Sequence, residues 1–88
     1  MLLLCTDSLK GYGLNRIFEL AKEAGYDGID LSFDPQLFDT TNKEYVKRLV
    51  EEYSMPVHAV SSPKLATPKT IRAAVELAKY VDAKVVVV

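Results

Sequence analysis

Apolar positions recur along this chain in two rhythms. Leu14, Ile17, Phe18, Ala21 and Ala24 follow the i, i+3, i+4, i+7 spacing that gathers side chains on one helix face, and Gly25 supplies a stop. A second stripe of Val46, Leu49, Val50 and Tyr53 predicts another helix, with Thr41 and Glu44 as a T-x-x-E capping box at its start. The third stripe holds Ile71, Ala74, Val75 and Ala78. There Thr67 is the expected N-cap, and Pro68 takes the first helical position, where its missing N–H costs nothing.

Between the helices lie strand-like runs: "MLLLCT", "GIDLSF", "PVHAVS" and "KVVVV". The order is β-α-β-α-β-α-β, the signature of an α/β protein with a parallel sheet and crossover helices. Ile29, Val57 and Val85 each follow a helix and a short turn and stand 28 residues apart. A (β/α)₈ barrel uses about 30 residues per βα unit. Four such units cannot close, because about eight strands are needed for side chains to fill a barrel interior. Residues 1–88 are therefore expected to be the N-terminal half of a TIM barrel, truncated in strand four. The alternative is a complete open sheet of four strands. It is disfavoured because no helix follows "VDAKVVVV", whose valine density predicts a strand buried on both faces.

Strand alternation then sorts the candidate chemistry. With Ile29 and Leu31 facing the helices, Asp30 and Ser32 turn inward. With Val57 and Ala59 facing the helices, His58 and Val60 turn inward. Asp30 and His58 thus share an interior on neighbouring strands and are the candidate substrate-binding residues. A carboxylate within an apolar strand needs a partner. Asp30 is either a ligand-facing acid or a structural carboxylate satisfied by a Ser, Thr or basic group. His58 is the only histidine; it suits a divalent metal or a sugar hydroxyl, against the plainer reading of a core histidine. Weaker candidates are Thr6, Asp7 and Ser8 after the first strand, Lys64 and Lys69 for a phosphate, and Tyr12 in a glycine-flanked loop.

Composition narrows the classes. The chain is 49% hydrophobic and 26% charged, as expected of one globular domain, and its net charge of −1 leaves no basic footprint for nucleic acid. Cys5 has no second cysteine to pair with, which fits a reducing cytoplasm. "MLLLC" lacks the basic n-region and the ~7–15 apolar residues of a signal peptide. The valine tail is far short of the ~20 apolar residues of a membrane span. No phosphate-loop, dinucleotide fingerprint, CxxC pair or nucleophile elbow is present.

The stretch "ELAKEAGYDGIDL" resembles the first helix and second strand of the xylose isomerase-like TIM barrels. Ala21, Gly25, Tyr26, Asp27, Gly28, Ile29, Asp30 and Leu31 match the pattern A-x-x-x-G-[FY]-D-G-[IV]-[ED]-[LV], although Glu is commoner where Asp30 stands. "PVHAVSSP" is similar to the third strand of that superfamily, which sets His58 in the place of a histidine that faces the active site and binds zinc in the endonuclease IV branch. "IRAAVELAKYVDAKVVVV" resembles the third helix and fourth strand. The resemblance spans essentially the whole chain. It implies a metal-dependent sugar or sugar-phosphate isomerase or epimerase acting on a small sugar, with a divalent metal cage on strands five to eight, beyond Val88. The 88 residues alone are then expected to be inactive.

Two other functions compete. A zinc-dependent nuclease fragment is opposed by the acidic balance and the single histidine, and a non-catalytic half-barrel module is the third reading. Neither nucleic acid nor membrane is an expected partner. Two unpaired sheet edges predict association, either with a missing C-terminal half or with like chains.

Overall fold

A computed structural model describes residues 2–6, 12–33, 38–61 and 67–87. Four strands, β1 (Leu3–Cys5), β2 (Gly28–Ser32), β3 (Val57–Ser61) and β4 (Val85–Val87), form one parallel sheet in the order β1-β2-β3-β4. Three longer helices alternate with them: α1 (Leu14–Ala24), α3 (Lys43–Tyr53) and α4 (Pro68–Tyr80). A single turn, α2 (Phe38–Thr41), precedes α3. The α/β class and the parallel sheet agree with the sequence reading.

Local chemistry explains the boundaries. Gly25 ends α1 at φ 82°, in the left-handed region, and its N–H reaches the carbonyls of Ala21 and Lys22. Thr67 caps α4 by accepting from the Thr70 amide, while the Thr70 hydroxyl accepts from the Thr67 amide, and Pro68 opens the helix. The start of α3 differs from expectation. Asn42, not Thr41, is the N-cap, its Oδ1 accepting from the Tyr45 amide at 3.1 Å. Thr41 instead closes α2, so the anticipated Thr41–Glu44 box does not form.

The three longer helices share one core with one face of the sheet. Leu14, Ile17 and Phe18 of α1, Val46 and Leu49 of α3, and Ala74 and Leu77 of α4 meet Ile29, Leu31, Val57 and Val60. Each large side chain so buried contributes about 1.5–3 kcal/mol relative to exposure. Phe18 lies tilted against Tyr53, whose hydroxyl donates to Asn15 Oδ1 at 2.7 Å and ties α3 to α1. Lys43 and Lys47 of α3 both set their ammonium groups over the Tyr80 ring of α4, at 5.1 and 4.8 Å from its centroid. The opposite face of the sheet carries no helix among the described residues.

Two expectations about strands fail. Among the described residues of the valine run, Val85–Val87 are not buried on both faces: Val86 packs on the core, while Val85 and Val87 are 44% and 51% exposed. Their side chains point to the helix-free face, where no described layer covers them. The phase of β3 is also different. Ile29 pairs with Val57, but Asp30 pairs with Ala59 and Leu31 with Val60, so the register shifts by one residue between Ile29 and Asp30. His58 is the extra residue of a bulge. Val60 therefore joins the helix-facing core and Ala59 leaves it, the reverse of simple alternation.

Candidate functional site

The helix-free face presents Leu3 and Cys5 from β1, Gly28, Asp30 and Ser32 from β2, and Ala59 and Ser61 from β3. Pairing fixes this set: Leu3 stands opposite Gly28, Cys5 opposite Asp30, Asp30 opposite Ala59, and Ser32 opposite Ser61. Its centre is polar and its margins are apolar.

Asp30, half-buried on a central strand, has a defined partner. Ser61 Oγ donates to Asp30 Oδ1 at 2.9 Å. The bond exists because of the bulge. Without the shift at His58, Ser61 would turn toward the helices and Asp30 would lose this donor. A carboxylate in an otherwise apolar strand is thereby stabilised at one oxygen.

His58 reaches the same face by a different route. A Cβ built on Gly28 would lie 3.6 Å from His58 Cβ, so the histidine leaves its strand on the side of Gly28, two residues before Asp30. That added Cβ would also stand 3.0 Å from the Pro56 carbonyl oxygen and 3.1 Å from Leu3 Cδ2. Gly28 is thus the close-approach point where β1, β2 and the start of β3 converge. The His58 carbonyl accepts from the Lys84 amide at 2.9 Å, which anchors its backbone to the start of β4.

Of the other sequence candidates, Thr6 is buried, and its hydroxyl accepts from the Ser32 amide at 2.9 Å, tying the end of β1 to the end of β2. Tyr12 is 57% exposed. Lys69 and Lys43 line a cleft of about 330 Å³ between α3 and α4, but Glu44 and Glu76 share its walls, so the charge there is balanced. Asp7, Ser8 and Lys64 lie outside the described residues.

Ser61 is the site residue that sequence reasoning passed over, because strict alternation assigned it no role. The signal was the need of Asp30 for a donor, with a serine one strand away. Among the described residues no group of three or more His, Cys, Asp and Glu side chains is gathered to hold a metal ion. Asp30 and His58 amount at most to two donors of a larger set, and they do not form a cation cage by themselves. Among the described residues, too, no helix is long and apolar enough to cross a membrane.

No family model, no curated protein and no solved structure matches the chain.

Proposed function

We propose that these 88 residues supply the first four strands of a TIM barrel that isomerises or epimerises a small sugar or sugar phosphate, as the N-terminal half of a metal-dependent enzyme. The reading rests on the resemblance of "AGYDGIDL" and "PVHAVS" to the xylose isomerase-like barrels. The observation that carries it is an Asp30 carboxylate on the helix-free face, held at one oxygen by Ser61, with His58 of the neighbouring strand standing beside Gly28, two residues before Asp30.

In that role Asp30 would use Oδ2 to accept a hydrogen bond from a sugar hydroxyl while Oδ1 stays fixed by Ser61. The His58 ring would donate to or accept from a second hydroxyl. Both are binding and orienting tasks. A divalent cation, when bound by residues outside this chain, would stabilise negative charge developing beside a carbonyl.

The test is to recover the reading frame beyond Val88 and assay its product with aldoses, ketoses and their phosphates, with and without added Mn²⁺ or Mg²⁺. Metal-dependent interconversion, lowered at least tenfold in kcat/KM by Asp30→Asn and by His58→Ala at unchanged Tm, supports the reading. A reading frame whose product adds no further strands, or a product in which both substitutions leave turnover unchanged, refutes it.

A further inference from the structure

We propose that Ser32 is a ligand-binding residue which, with Asp30 and Ser61, takes the hydroxylated end of a neutral polyol, so that any phosphate on the substrate points away from β2 and β3. The inference rests on the functional reading above for the ligand being a sugar, and deepens it by naming the end of the sugar bound here.

Ser32 ends β2, half-buried on the helix-free face, and Leu31, between it and Asp30, faces the core. Parallel sheets place their ligands at the carboxyl ends of the strands, in closed barrels and in open sheets alike. The backbone at this end is held from both sides. The Ser32 amide donates to Thr6 Oγ1 at 2.9 Å, so a side chain continues the pairing with β1 past Cys5. The Phe33 amide donates to the Ser61 carbonyl at 2.9 Å. Thr6 and Phe33 are themselves buried. A side chain carried on backbone fixed in this way is positioned before a ligand arrives, which lowers the ordering cost of binding.

Donors and acceptors define the ligand. Ser61 directs its hydroxyl proton to Asp30 Oδ1, which leaves Ser61 Oγ as an acceptor, and the Asp30 carboxylate only accepts. Ser32, paired in register with Ser61, is the one of the three able to donate to a ligand. A donor beside two acceptors suits hydroxyl groups, which both give and take protons. Asp30 Oδ2 and Ser61 Oγ accept from the ligand, and Ser32 donates to it. Phosphate does not fit this arrangement. Its oxygens call for donors or cations, and the Asp30 carboxylate two residues from Ser32 repels them. Asp30 and Ser32 stand about 6.6 Å apart along the strand, so one sugar reaches both.

Amide NMR titration of the isotope-labelled 88-residue chain with D-fructose, its phosphate ester and inorganic phosphate tests the proposal. D-Fructose and its ester should shift the Ser32, Phe33 and Ser61 amides saturably and with similar Kd, and inorganic phosphate should leave them in place. Ser32→Ala should weaken sugar binding about fivefold, the worth of one hydrogen bond, with amide dispersion elsewhere unchanged. Ser32→Thr, which keeps the hydroxyl, should restore it. No saturable shift at these amides, a shift with inorganic phosphate, an unchanged Kd in Ser32→Ala, or a loss that Ser32→Thr does not restore would each overturn the assignment. Turnover by a longer product is measured separately. A product inactive on every sugar sinks the isomerase reading and leaves this binding result standing, whereas an active product with no dependence of KM on Ser32 sinks the Ser32 assignment alone.

Discussion

The Ser61 hydroxyl donates to Asp30 Oδ1 at 2.9 Å across the β2–β3 pair, joining a central carboxylate to the last residue of the neighbouring strand. A hydrogen bond to a charged, part-buried group contributes about 1.5–3 kcal/mol when well formed, less where water can substitute. Ser61→Ala should therefore destabilise the chain by about 1–2 kcal/mol. Urea denaturation at fixed protein concentration measures this, and Ser61→Thr, which keeps the hydroxyl, should recover most of the loss. Equal midpoints for Ser61→Ala and wild type would mean that solvent already satisfies Asp30.

The bulge makes a paired prediction. Val60 is fully buried against the helices, whereas Ala59 belongs to the opposite face. Val60→Ala should cost about 2 kcal/mol through lost burial and the cavity left behind. Ala59→Ser should cost under about 1 kcal/mol, because the added hydroxyl enters a face that already carries Asp30 and Ser61. Regular alternation predicts the opposite order, so the ranking of the two variants in thermal denaturation decides between the two phases.

Gly28→Ala tests the convergence point. The new methyl would stand 3.0 Å from a backbone oxygen and 3.1 Å from Leu3 Cδ2, and the backbone atom cannot rotate away. Overpacking of this kind costs about 1–3 kcal/mol. Gly13→Ala is the control, since nothing lies within 4 Å of its added carbon. Comparable stability for the two variants would show that β1 shifts freely to make room.

Much of the fold was legible because its determinants are local. Gly25 and the Thr67-Pro68 pair stop and start helices through hydrogen bonds made within a few residues, and the 28-residue spacing of Ile29, Val57 and Val85 reflects one repeated βα unit. Asn42 displaced Thr41 as a cap because the two compete one residue apart, and the turn α2 absorbs Thr41. The phase of β3 was not legible. A register shift is settled by pairing with β2, at residues distant in sequence, and alternation read along one strand contains no term for it. The exposure of Val85 and Val87 was missed for a related reason. A run of valines records β propensity, while burial depends on what stands opposite.

One consequence of the bulge concerns His58 itself. If that residue is passed over, Val57, Ala59, Val60 and Ser61 alternate regularly between core and open face, in register with Ile29, Asp30, Leu31 and Ser32. The register between β2 and β3 is complete without it. His58 is supernumerary in the packing scheme, so neither core volume nor strand pairing dictates which side chain stands there. Most positions in a central strand are specified twice over, by the neighbour on each side. Here the Lys84 amide holds the backbone at the His58 carbonyl, while the side chain faces no register partner on β2 or β4.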